Sequence, residues 1–377
     1  MGRDVLIDRL WRLLERRSLV LSAERRMGKT SIVKKMVAEP KPGVIPIYRD
    51  LEKVREPLEF VQYVFDDVES YLSKRKRVAQ HARGLLSQLT GLEIAGVVKI
   101  PSTVAPHWKN ILDRTIDDLA QNQDERIVFF WDEMPLMLYN IRRRGGEGQA
   151  AEILDTLRSL RQTYDNIRMV YTGSVGLHHV ITGLRQEESY VNDPTNDMSA
   201  IDVPPLERVD AEELADQLLK GEGLAVANAD IVAAAIARQV DNLPFFIHHV
   251  VDQMTMYGGP IDSDTAEAIV EAHLVEAQDP WHLRYYRERL DEYYAPGARP
   301  VALALLDTLA VSERPLTFDD LYNLLQARMP VDDADMVRGV LTLLQQDHYV
   351  AQEPRSAVYR FRFPLIQRYW RMQRGLA

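Results

Sequence analysis

The chain predicts an α/β protein, a parallel sheet with helices on both faces, continued by two helical regions. Three observations carry this. Short apolar runs alternate with amphipathic stretches of helical period through the first half of the chain. One of these runs, IVFFW at 127–131, is apolar without interruption, as expected of a strand buried on both faces. Beyond IDVPPL at 201–206 the alternation stops and helical stretches take over, one of them alanine-rich.

Residues 4–17 predict a helix with Val5, Leu6, Leu10, Leu13 and Leu14 on one face, followed by a strand at 18–22. The next helix spans 29–37, and Pro40-Lys41-Pro42-Gly43 turns into a second strand at 44–48. A helix at 57–72 precedes an insert at about 73–105, which includes a strand or hairpin arm at 92–100. A helix at 108–119 leads to the strand at 127–131, a helix covers 148–163, and a further strand spans 168–172. Helices follow at 211–220, 228–239 and 244–256. After Pro296-Gly297 come helices at 300–311, 317–328 and 334–346, then a hairpin around Glu353-Pro354-Arg355-Ser356. Three helices and a hairpin make a winged-helix pattern. The expected organisation is a core at 1–205 carrying the insert, a helical lid at 206–295 and a winged helix at 296–377.

Composition narrows the function classes. The 377 residues contain no cysteine, which excludes disulfides, thiolate catalysis and cysteine-based zinc sites and fits a reducing cytoplasm. No apolar run reaches the length of a membrane helix, and the charged N-terminus is unlike a secretory signal. A cytoplasmic protein without a membrane partner is expected. The net charge is −10, with acids concentrated at 201–292, so the chain is not a general nucleic-acid binder.

The segment SLVLSAERRMGKTSI at 18–32 joins an apolar strand, a tight loop and a helix start, the setting of a phosphate-binding loop. The backbone N–H groups of Ala23 to Gly28 and the helix dipole behind Thr30 and Ser31 favour an anion there. Lys29 is placed to reach β and γ phosphates, and the Thr30 hydroxyl to ligate Mg²⁺. Ala23 replaces the usual first glycine, so that position must keep ordinary dihedrals. Asp132-Glu133, at the end of the IVFFW strand, supplies a second metal ligand and a base that orients the attacking water. Gly173-Ser174 also follows a strand end, and ligands bind where parallel strands end. Thr172 and Ser174 are candidates to touch the γ-phosphate or that water. Arg185, placed after the next helix, is a candidate arginine finger. Arg142, Arg143 and Arg144 read as solvated surface, and His248 and His249 as packed or surface histidines.

The winged-helix pattern invites a DNA reading that its charges resist. Its third helix opens with Asp332, Asp333 and Asp335, whereas Arg355, Arg360, Arg362, Arg368, Arg371 and Arg374 lie in the hairpin and last helix. DNA contact through the wing is therefore not favoured over a protein partner, or self-association, through lid or winged helix.

The stretches GRDVLIDRL, SAERRMGKTSI, IVFFWDEMP, VYTGSVGLHHVI, IDVPPLE, DNLPFFIHHV and YRFRFPLIQRYW closely resemble the archaeal-type ATPases of the STAND group within the AAA+ lineage. Arg25-Arg26 match that family's G-P-R-R-x-G-K-T loop. The resemblance implies a P-loop NTPase core with a lid and winged helix, ATP or ADP as ligand with Mg²⁺, Gly2-Arg3 near the adenine, and Pro244 in a lid motif facing the nucleotide. Ala23 and Glu24 depart from the family's Gly-Pro. Asn196-Asp197-Met198 stand where many members carry Gly-Arg. The chemistry implied is a slow or partner-stimulated ATPase acting as a conformational switch. The alternatives are a non-hydrolysing nucleotide-loaded scaffold and a DNA-bound ATPase.

Overall fold

The computed structural model describes residues 2–74, 79–90, 99–121, 125–145, 148–187, 190–353 and 355–376. The chain divides into two compact units. One comprises residues 4–22 and 29–203; the other comprises 1–3, 23–28 and 204–377.

The first unit follows the order α1 (Asp4–Leu14), β1 (Leu19–Ser22), α2 (Lys29–Ala38), β2 (Val44–Asp50), α3 (Pro57–Lys74), α4 (Gln80–Thr90), α5 (Trp108–Gln121), β3 (Arg126–Asp132), α6 (Met134–Gly145), α7 (Gln149–Thr163), β4 (Ile167–Tyr171), α8 (Leu177–Glu187) and β5 (Ser199–Asp202). Its five strands pair in the order β2-β3-β4-β1-β5, and every pairing is parallel. The register puts Asp50 beside Asp132 and Trp131 beside Tyr171, so the strands end together.

The unbroken apolar run of β3 is explained by burial on both faces. Phe130 meets Trp11 of α1 edge-on at 6.1 Å. On the other face Trp131 meets Phe60 of α3 edge-on at 5.1 Å and stacks on Tyr171 at 6.0 Å. Side chains alternate across a strand, so a strand covered on both sides is apolar at every position.

Within the insert, two buried carboxylates anchor α4. Asp118 of α5 accepts the N–H groups of His81 and Ala82, two orphan donors at the helix start. Glu69 of α3 accepts the Ala79 N–H and receives a bidentate bond from Arg83. The expected strand or hairpin arm at 92–100 lies mostly outside the described residues, and Lys99 and Ile100 have no regular structure. Helix α6, which sequence patterning did not mark, starts directly behind β3, with Pro135 in its first turn.

The second unit contains α9 (Arg208–Gly221), α10 (Ala229–Gln239), α11 (Pro244–Thr255), α12 (Ser263–Val275), α13 (Tyr285–Tyr293), α14 (Ala298–Val311), α15 (Phe318–Arg328), α16 (Ala334–Gln346), the antiparallel hairpin β6 (Val350–Gln352) and β7 (Tyr359–Phe361), and α17 (Pro364–Arg374). Helices α12 and α13 were not expected. The first is opened by a reciprocal capping box between Asp262 and Thr265. Leu316 pairs with Tyr359 through two backbone bonds and so ties the α14–α15 connection to the hairpin. The fully buried Trp370 of α17 packs against Tyr349 and Phe361 and donates its indole N–H to Asp307 of α14. The expected lid and winged-helix segments thus share one unit. Arg368 binds the side chain and carbonyl of Gln239. Asp241 accepts the Leu365 N–H at the start of α17, at 2.7 Å.

Asp241 sits in the left-handed region at φ 54°, and burial pushes its carboxyl up to about 6 against the opposing pull of the Leu365 N–H and of Arg368 and Arg360. A carboxyl raised above its unfolded value contributes stability that is complete below that value, 3.8, and is lost as pH rises through about 6. Asn suits left-handed backbone and keeps the acceptor. Urea unfolding of Asp241→Asn is expected to match wild type near pH 4 and to show a gain by pH 7.5. The ceiling is about 3 kcal/mol for a two-unit shift, before solvent screening is discounted. A wild-type-like midpoint at both pH values would contradict a buried, strained carboxylate.

Candidate functional site

In the strand-bearing unit the carboxyl ends of β2, β3 and β4 and the start of α2 converge on Asp132. This carboxylate is only 5% exposed and receives donors on both oxygens. One oxygen accepts the Thr30 hydroxyl at 2.7 Å and the Tyr48 hydroxyl at 3.4 Å. The other accepts the Thr172 hydroxyl and, at 3.2 Å, the Glu133 N–H. Lys29, the first residue of α2, is buried, whereas Thr30 and Ser31 are exposed. The Tyr48 hydroxyl is pushed up to about 12, by burial first and then by the negative charge of Asp132.

Glu133 leaves β3 with φ 55°, a left-handed conformation that is strained for a residue with a Cβ. The turn swings its carboxylate onto the end of β4, where one oxygen accepts the Ser174 N–H at 3.0 Å and the Ser174 hydroxyl at 2.9 Å. Burial pushes the Glu133 carboxyl up, while the two Ser174 bonds and the Lys29 charge pull the other way. Gly173 leaves room for the Pro135 ring beside it. A Cβ there would lie 2.8 Å from the Pro135 ring and 3.4 Å from the Glu133 carboxylate.

The donor set around Thr30 and Asp132 is hydroxyl and carboxylate oxygen. Hard cations such as Mg²⁺ take such ligands and leave most of their shell to water and phosphate. The residues present fit that ion.

Sequence reasoning named Lys29, Thr30, Asp132, Glu133 and Ser174, and the structure brings all five to one edge of the sheet. It missed Tyr48, whose only signal is a hydroxyl near the end of a parallel strand. Arg185, expected beyond the helix, lies within the last turn of α8 and is exposed. Among the described residues it has no bond to the Asp132 group. At 196–198, where the resemblance calls for Gly-Arg, Asp197 instead accepts two bonds of 2.8 Å from Arg161 of α7. Arg161 also holds the Tyr171 hydroxyl and the Pro194 carbonyl. The acid at this position therefore docks the loop before β5.

The loop residues 23–28 belong to the second unit. Their left-handed positions are Arg26 at φ 71° and Gly28 at φ 84°, while Ala23 keeps ordinary dihedrals. Arg26 lies over the Phe245 ring at 4.0 Å and donates to the Trp281 carbonyl. Burial first, then the Arg25 charge, pushes its guanidinium down to about 10. Arg25 lies over Tyr285 at 4.4 Å. Glu24 is buried and pairs with Arg289 of α13. Arg3 donates to the Met27 carbonyl at 3.0 Å and the Pro204 carbonyl at 2.8 Å, fastening the N-terminal residues to the loop. Gly2 has φ 65°, and a Cβ there would lie 2.5 Å from Asp210. Pro244 opens α11 after Asp241 and Asn242, both left-handed. His249 is lowered by burial and by Arg26, which suits a packed neutral ring.

Thr172 is 1% exposed, and its hydroxyl serves Asp132. Thr172→Val keeps the shape and removes that donor, so a loss of about 1–3 kcal/mol is expected in denaturant unfolding. An unchanged midpoint would mean that the Asp132 oxygen finds another donor.

No family model and no curated protein matches the chain. Solved structures do. The Walker-type ATPase PABY2304 of Pyrococcus abyssi aligns over 98% of this chain and 95% of its own, at 16% identity and a TM-score of 0.65. The ORC2 protein of Aeropyrum pernix, solved as ADPNP–ADP complexes, aligns over 99% and 95%, at 14% identity and a TM-score of 0.51. At such identities the likeness is one of fold. The chain has the fold of these archaeal P-loop ATPases, a five-stranded parallel sheet followed by a helical C-terminal part.

Proposed function

We propose that the chain is an ATP-binding, Mg²⁺-dependent P-loop ATPase that acts as a nucleotide-driven switch. The observation that carries this reading is the convergence of Thr30, Asp132 and Glu133 where parallel strands end. Lys29 stabilises charge on the β and γ phosphates, and Thr30 and Asp132 hold the metal. Mg²⁺, when bound, neutralises phosphate charge and orients the γ-phosphate. Glu133 accepts the proton of the attacking water, and Ser174 fixes where that carboxylate points. Nucleotide contacts fall to Lys29, Thr30 and Ser31 and, separately, to Arg3, Ala23, Arg25, Arg26, Met27, Gly28 and Pro244, with Arg185 available as a finger toward a neighbouring molecule. The nucleotide complexes of the ORC2 protein support ATP and ADP as ligands.

In this reading 1–205 is the catalytic core, 206–295 the lid and 296–377 a winged helix. The partner is a protein, or a second copy, that meets the lid or winged helix. The arginine arrangement favours this over DNA. Arg374 is paired with Asp307 and Arg360 with Glu353, while Arg362 binds His348 and Arg368 binds Gln239. A cytoplasmic location belongs to the same reading, and among the described residues no helix is long and apolar enough to cross a membrane.

The grip of Ser174 on Glu133 favours slow turnover, and for that reason a non-hydrolysing switch is the second reading. Calorimetric ATP binding combined with single-turnover hydrolysis distinguishes the two. Lys29→Ala is expected to lose binding. Glu133→Gln is expected to bind ATP and hydrolyse it about 10²–10⁴-fold more slowly than wild type. Equal rates in wild type and Glu133→Gln would end the enzyme claim, and absence of nucleotide binding would end the whole reading. Gly173→Ala, whose Cβ would clash with the Pro135 ring beside Glu133, is expected to keep binding and lose turnover.

A further inference from the structure

Glu24, Arg289 and Asp347 come from three distant stretches of chain: the phosphate loop, α13, and the turn between α16 and β6. Their side chains meet within the second unit and are buried, with residue exposures of 2%, 4% and 1%. One guanidinium nitrogen of Arg289 lies 3.1 and 3.3 Å from the two oxygens of Glu24, and another lies 2.8 Å from Asp347. The second oxygen of Asp347 accepts the Tyr294 hydroxyl at 2.7 Å, and Glu24 also accepts the Arg25 N–H at 2.7 Å. Tyr285 and Tyr349 cover the guanidinium at 5.4 and 5.3 Å.

One guanidinium thus bridges two buried carboxylates, with the Arg26 charge also acting on Glu24. Displacing either carboxylate from Arg289 breaks a buried, charge-assisted pair, which is costly. A shift of the loop backbone at Glu24 must therefore carry Arg289 with it, or break the pair and weaken the hold on Asp347. Glu24 is also a position where the chain departs from the family pattern it resembles. None of the three side chains belongs to the Asp132 group that faces the proposed phosphate site.

We propose that Glu24 is a positioning residue which, through Arg289, couples the conformation of the phosphate loop to Asp347 at the base of the C-terminal hairpin. Nucleotide occupancy is then read out at the α16–β6 turn by a salt-bridge relay within one unit. The relay rests on the nucleotide-binding reading above, because a loop that takes no phosphate has nothing to transmit.

The test is amide hydrogen exchange of full-length protein, with and without ADP·Mg²⁺, alongside calorimetry of ADP binding. In wild type ADP is expected to slow exchange about five-fold or more in the peptide covering residues 343–350. Glu24→Gln keeps an acceptor for Arg289 and lowers the buried charge, so it is expected to fold and bind ADP while losing most of that protection. Asp347→Asn, altered at the far end of the relay, is expected to do the same and serves if Glu24→Gln is unstable. Arg374→Gln, which breaks a surface pair on α17, is expected to keep the full response. Wild-type-like protection in ADP-bound Glu24→Gln and Asp347→Asn overturns the relay, as does ADP-bound wild type without a response at 343–350. Failure of wild type to bind ADP overturns the underlying function instead, and calorimetry reports that separately.

Discussion

One buried carboxylate organises the strand-bearing unit. Asp132 is taken out of water at the end of the most apolar strand, where an unpaired charge would be prohibitive. It survives because a donor arrives from each neighbouring element: Tyr48 from β2, Thr172 from the end of β4 and Thr30 from α2. The strand ends are thereby held level, and the first turn of α2 is fixed against β3. A divalent cation entering beside Thr30 would compete for the same oxygens. The network that stabilises the fold without ligand is the one a metal would rearrange.

Glu133 shows the cost of building chemistry onto that edge. Its left-handed backbone and partly desolvated carboxylate are both unfavourable, and the two Ser174 bonds offset them only in part. Strain of this kind, of order 1–3 kcal/mol per residue, persists where the surroundings over-determine it. Here the fixed points are the Pro135 start of α6, the bare Cα of Gly173 and the β3–β4 register. In the proposed reading, a side chain held this firmly would aim well at a water molecule and move slowly.

What the sequence disclosed follows from the range of the interactions involved. Four of the five strands and the loop–helix junction are written in local pattern, since IVFFW must be buried on both faces and Gly28-Lys29-Thr30 must follow a strand. The capping box at Asp262 and Thr265 is also local, yet α12 was not read from it. Tyr48 gave no such sign, because its role depends on a register that places Asp50 beside Asp132 across two strands. Arg161 and Asp197 lie 36 residues apart, and Glu24 and Arg289 lie 265 apart. No periodicity reports pairs of that separation. Arg185 was misplaced for a simpler reason: α8 runs to Glu187, past the position where its helical pattern was read as ending.

The C-terminal arginines illustrate the same limit, with a functional consequence. In the sequence they alternate with Tyr359, Phe361, Phe363, Tyr369 and Trp370, an alternation that favours core packing. In the structure the aromatic partners Tyr369 and Trp370 are buried, and the neighbouring cations turn inward or sideways to Gln239, Asp307 and His348. Of these cations Arg374 and Arg360 are paired with carboxylates, Asp307 and Glu353, so part of their charge is compensated before any phosphate is met. Meanwhile Asp333 caps α16, and Asp335 pairs with Arg338, the one cation of that helix. The helix that would enter a groove therefore presents an acidic first turn whose charges serve its own backbone. The buried Glu24–Arg289–Asp347 chain, likewise, commits charges of the C-terminal part to the loop itself.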